Sequence, residues 1–137
     1  MTAGDTRRVE RIAAQAALAV PGVAELQPTL RQALAGAASR AWETIGSPAL
    51  PREAGIHVEH TAGGGAWHVE VRCVLTDHRR AADIARDVRD HVRSAVSSHV
   101  THVARHGIPE PVTIVVTVTR ITHTRHRTAP SRAVRSR

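Results

Sequence analysis

His99, His102 and His106 are spaced at i, i+3 and i+7, which on a helix lines three imidazoles along one stripe. His102 and His106, four apart, can present ring nitrogens to zinc or nickel from adjacent turns. Three imidazoles spread over two turns converge poorly on one ion, and no acid or thiol nearby completes a tetrahedral set. The expectation is a solvent-facing histidine stripe. Asp83, Asp87 and Asp90 are interleaved with Arg79, Arg86, Arg89 and Arg93, a spacing that suits i,i+3 and i,i+4 ion pairs on a solvated helix face. Each such pair is worth about 0.2–0.5 kcal/mol, and the pattern explains these acids better than a catalytic carboxylate pair does. Cys73 shares strand parity with Trp67, Val69, Val71 and Leu75, which predicts a small hydrophobe facing the core. A reactive thiol needs an exposed, electropositive setting instead. As the single cysteine it can form no internal disulfide, which fits a reducing compartment. His57 and His68 fall on outward strand positions, close enough to be neighbours across a hairpin.

Phosphate-binding and nucleophile motifs are absent. Glycines stand at 4, 22, 36, 46, 55, 63, 64, 65 and 107, and no two are three apart. The sequence therefore holds no GxxG clamp for RNA, no GxGxxG and no Walker loop, and neither HExxH nor GxSxG occurs. No catalytic residue, cofactor-binding residue or metal ligand is assigned. The chain reads as a non-enzyme with no cofactor and no small-molecule substrate.

The formal charge of +7 is unevenly placed. All 19 basic residues are Arg, and Arg125, Arg127, Arg132, Arg135 and Arg137 fall in residues 122–137, where there is no acid. Without those five, 14 Arg face 12 acids, leaving +2 on the body. Residues 122–137 lack apolar periodicity and carry Pro130 with scattered Ser and Thr, so they read as a disordered Arg-rich tail. These five Arg are the candidate interaction residues. Against anionic lipid each contributes about 1 kcal/mol, up to ~5 kcal/mol together. Against duplex DNA, five phosphate contacts give a log–log salt slope of about −4.5. Phe and Tyr are absent and only Trp42 and Trp67 are aromatic, so base stacking would be poor. Ten histidines take the charge from +7 toward +17 in mild acid, so self-association or partner binding is expected to weaken below about pH 6.

The elements that must carry these residues are legible from periodicity. Val9, Ile12, Ala16 and Ala19/Val20 mark one face of a helix over 6–20, ended by Pro21-Gly22. Arg7, Arg8 and Arg11 before an apolar run resemble a short signal sequence, but Glu10 and Gln15 interrupt it and favour a surface helix. The uncharged stretch 12–24 is too short for a bilayer that needs about 20 residues, so the protein is expected to be soluble, at most attached peripherally to a membrane. A short edge strand over 23–26 and a second helix over 27–45 follow, the latter with Leu30, Leu34, Ala37/Ala38, Ala41 and Ile45 along one side. A loop over 46–55 leads into strands over 55–61 and 67–75, joined by Ala62-Gly63-Gly64-Gly65-Ala66. Asp77 can cap a long helix over 80–105, whose inward line is Ala81, Ile84, Val88, Val92, Ala95/Val96 and Val103 and which Gly107 stops. Val112, Ile114, Val116 and Val118 supply a last strand, parallel to 67–75 if the crossover obeys the usual handedness. The fold class is α/β: a two-layer domain with helices on a mixed three- or four-stranded sheet, closing in a β-β-α-β unit. One domain spans 1–121 and the Arg-rich tail spans 122–137.

The segment VERIAAQAALAVPGVAEL over 9–26, whose helix ends in a Pro-Gly-Val turn, resembles the opening of the alkaline shock protein family, the Gls-type envelope stress response proteins of bacteria. Residues 55–76, the helix after them and VTIVVTVTRI over 112–121 match that family's closing β-β-α-β order. The resemblance implies a small non-enzymatic cytoplasmic protein that self-assembles and reaches the membrane through a protein partner. It implies a role in cell-envelope homeostasis under stress as a scaffold or partner-binding module. Two departures stand beside it: residues 27–54 are Ala-rich and helical rather than a short glycine-rich connection, and the helix through Arg105 is long. The alternative reading is non-specific nucleic-acid binding through the tail Arg.

Overall fold

The computed structural model describes residues 3–34, 53–61, 63, 65–104 and 108–123. Its elements are α1 (Ala3–Leu18), β1 (Val23–Leu26), β2 (Ile56–Thr61), β3 (Ala66–Thr76), α2 (Ala81–Val103) and β4 (Val112–Thr122). β3 is the hub. It pairs antiparallel with β2 over its first half and with β1 near its end, and parallel with β4 along its whole length. The result is a mixed four-stranded sheet only three lanes wide, because β1 and β2 share one lane end to end.

That shared lane explains Gly55. The Arg72 carbonyl accepts the Gln27 N–H at 2.9 Å while the Arg72 N–H donates to the Gly55 carbonyl at 2.8 Å, so β1's exit and β2's start meet at one residue of β3. A Cβ on Gly55 would stand 2.9 Å from both Gln27 N and Gln27 O, and φ is +100°, so only glycine fits.

Both helices cover one face of the sheet, α1 toward β2 and α2 toward β4, lying side by side. The inward parity of β3 (Trp67, Val69, Val71, Cys73, Leu75) meets Ile56 and Val58 from β2 and Ile114 from β4. From α1 come Val9, Ala13, Ala14 and Ala17, where alanine lets the helix approach closely. From α2 come Ile84, Val88, Val92, Val96 and Val100, a strict four-residue repeat. The core is aliphatic around Trp67, as a chain without Phe or Tyr requires.

Several expectations need correction. Val103 is 49% exposed and Val100 takes its place, because a four-residue repeat rotates the buried stripe around the helix and away from Val103. Asp77 does not cap α2: Arg80 is the N-cap, without a side-chain bond, and Asp77 lies 2.9 Å from His123 Nδ1 in the turn before it. The second helix starts at Leu30, not 27, because Gln27 extends the β1 ladder and Thr29 with Gln32 forms a reciprocal cap. Leu30 and Leu34, on the apolar side of that helix, are 80% and 65% exposed; the turn is held by Gln32, whose Nε2 donates to the Ile56 carbonyl at 3.0 Å. Its continuation over 35–45, and Gly107, lie outside the described residues. β4 runs to Thr122, one residue beyond the domain end expected at 121.

Candidate interaction surface

The residues singled out for chemistry are spread over the surface. Asp83 and Arg86 pair at 3.2 Å with the i,i+3 spacing expected, but Asp87 meets Arg79 at 2.9 Å from eight residues before it, in the turn ahead of α2; all four side chains are well exposed, so the face is solvated while its pairing is only partly that of the spacing. Asp90 lies 3.7 Å from Arg89, its sequence neighbour. His99 is half-buried and His102 exposed, the latter beside a shallow open depression with Ser97, Ser98 and Thr101; His106 lies outside the described residues. Among the described residues no group of three His, Cys, Asp or Glu is placed to hold a metal ion. Cys73 is fully buried, and burial pushes its thiol pKa up, away from the reactive thiolate. The five tail residues Arg125, Arg127, Arg132, Arg135 and Arg137 lie outside the described residues.

The sheet face away from the helices is polar and ordered in pairs. His57 stands opposite Glu70, and Glu59 opposite His68, so the two histidines are diagonal rather than direct neighbours. His57 Nε2 lies 3.1 Å from Glu59 Oε1 along its own strand. Alternating ring and carboxylate across two strands is a favourable cross-strand arrangement on a wet face.

One cluster was not foreseen. Glu110, just before β4, accepts the Trp67 indole N–H at 2.6 Å and lies 3.2 Å from His60 Nε2 with the same oxygen. The His60 and Trp67 rings are 4.7 Å apart and tilted by 56°. Trp67 is 4% exposed, so its N–H requires a partner, and the carboxylate supplies a charge-assisted one. Glu110 thereby ties the segment just before β4 to the start of β3 and sets where β4 begins; the backbone N–H of Trp67 reinforces this by donating to the Pro111 carbonyl at 2.9 Å. The available signal was a buried indole that must find an acceptor, but sequence alone does not say which of twelve acids answers it.

β4 is the geometrically open element. Among the described residues it pairs with β3 alone, although it is 11 residues long. Half of its backbone N–H and C=O groups therefore point away from the sheet. Val115 on the polar face is 41% exposed. Register with β3 is unbroken from Val112 to Val118; between Cys73 and Val74 it slips by one, leaving Thr119 without a partner residue. Thr119 Oγ1 sits 3.2 Å from the Cys73 carbonyl and 3.1 Å from Gln27 Oε1, so it belongs to the bulge and does not continue the Val115–Thr117 face. Among the described residues no helix is long and apolar enough to cross a membrane. No family model, curated protein or solved structure matches the chain.

Proposed function

We propose that this chain is a non-enzymatic docking and assembly module of the alkaline-shock type, working as a scaffold in envelope homeostasis at the cytoplasmic side of the membrane through a protein partner. The observation that carries the reading is the β4 edge, open among the described residues: an 11-residue strand, rich in Val, Ile and Thr, with a single ladder of hydrogen bonds to them. Such an edge is a template for another strand unless it is covered or charged, and β4 has one charged residue, Arg120. The Pro-Gly-Val turn, part of the segment behind the resemblance, is in keeping with the reading. Gly22 of the Pro-Gly-Val turn lies with φ +102° against Ile84 of α2, and its carbonyl accepts the Thr76 N–H at 2.8 Å.

The test is cross-linking in the native cell, followed by affinity recovery from membrane, nucleoid and cytosolic fractions. Recovery with an envelope protein in the membrane fraction supports the reading. Recovery with chromosomal DNA and no envelope protein overturns it in favour of nucleic-acid binding, in which case deleting residues 122–137 and eluting from duplex DNA with salt shows whether the tail Arg carry it.

A further inference from the structure

We infer that β4 is the seam of a two-fold symmetric dimer, pairing antiparallel with β4 of a second copy so that Val115 stands opposite Val115. This deepens the docking reading above and rests on it for what the seam serves.

The occupant is identified by the strand's own sequence. Residues 112–118 read Val-Thr-Ile-Val-Val-Thr-Val, which is the same backwards apart from the exchange of Ile114 and Val116. A two-fold axis at Val115 therefore sets Thr113 opposite Thr117, Ile114 opposite Val116 and Val112 opposite Val118. Hydroxyl meets hydroxyl on the polar face and aliphatic meets aliphatic on the helix face, the pairings that stabilise antiparallel strands. This window coincides with the stretch whose register with β3 is regular. Charge does not oppose the pairing: within 112–118 there is no charged residue, and Glu110 and Arg120 outside it are held by Trp67 and Glu25 of their own copy. Turning the second copy about an axis normal to the sheet also keeps both helix layers on one side, doubling the sheet without exposing either core.

The experiment is the mass in solution of the wild type, Val115→Lys, Val115→Glu and an equimolar mixture of the two variants. The wild type is expected at twice 14.7 kDa, each variant alone at 14.7 kDa because like charges would oppose each other at the axis, and the mixture again at twice that mass. Val115 is exposed, so the changes should spare the fold, and an unchanged tryptophan emission is the control. Val115→Cys is the second arm: with residue 115 facing itself, mild oxidation gives a disulfide dimer, while Cys73 is fully buried and does not compete. A wild type that stays monomeric at about 100 μM, where even a weak 10 μM complex is mostly formed, overturns the inference. So does a Val115→Lys dimer, or failure of both the mixture and the Val115→Cys cross-link. Fractionation is independent: a monomeric wild type recovered with envelope protein removes the dimer and leaves the docking reading, and a dimer recovered only with DNA does the reverse.

Discussion

Gly22→Ala probes the junction on which the domain closes. Gly22 has φ +102°, a conformation that costs an L-residue about 1–2 kcal/mol. A Cβ there would lie 2.6 Å from Ile84 Cδ1, 3.0 Å from Cγ1 and 3.3 Å from Cγ2. Ile84 is fully buried and has no solvent to swing into, so overpacking adds about 1–3 kcal/mol. The combined loss is about 2–5 kcal/mol, which at a urea slope of about 2 kcal/mol/M moves the midpoint down by roughly 1–2.5 M. Unfolding in urea followed by tryptophan emission measures it. Ile84→Ala alone should cost about 2–5 kcal/mol as a cavity mutation. Combined with Gly22→Ala it should cost less than the sum, by the steric share of about 1–3 kcal/mol, leaving the backbone penalty in place. Strict additivity, or a Gly22→Ala loss below about 0.5 kcal/mol, would refute the contact and with it the account of how α1 docks on α2.

Glu110→Ala should cost about 1.5–3 kcal/mol in the same unfolding assay, since the buried Trp67 N–H loses a charged acceptor; a loss like that of an exposed residue would show that water replaces it. Thr29→Ala should cost about 0.5–2 kcal/mol through its cap, and Gln32→Ala should cost more because it also loses the Ile56 carbonyl and the Gly55 N–H; equal losses would mean the bridge to β2 is not made in solution. Burial raises the Glu10 carboxyl pKa, with His57 lowering it, Glu53 raising it and Arg7 lowering it. The folded state then holds that proton to higher pH than the unfolded chain, so stability falls as pH rises through the folded value. Glu10→Gln is expected to raise Tm at pH 7 and to lose that advantage below the unfolded carboxylate value of about 4.3; a Tm difference independent of pH would contradict it.

The β-β-α-β order was legible because period two and period 3.6 alternate cleanly along 55–122, and a parallel last strand follows from crossover geometry. Cys73 and Trp67 were placed by parity alone. What sequence left open is what distant residues decide. Gln32 reaches β2 across 24 residues, and Glu110 reaches Trp67 across 43. The Thr29-x-x-Gln32 box was a readable cap signal, and it would have moved the helix start from 27 to 30. Asp77 fits a cap by type, yet the chain turns between it and α2, and His123 at the end of β4 occupies it instead. The β4 irregularity leaves no mark in the alternation, since Thr119 is as good a strand residue as its neighbours.

The ends of the strand decide whether self-pairing closes or propagates. Pro111 carries no N–H, and the bulge at Thr119 breaks the register, so only 112–118 offers a regular ladder. A seam in which one strand meets its own copy consumes both β4 edges and leaves none for a third chain. The opposite edge of the sheet is a poor template, because β1 has four residues, β2 has six, and the two abut at Gly55 and Gln27 rather than running on. A short, interrupted edge does not support the long pairing that fibres require. Assembly through β4 should therefore stop at two copies at any concentration. Masses that climb beyond the dimer would show that the β1–β2 lane pairs as well, and that interruption at Gly55 is no barrier.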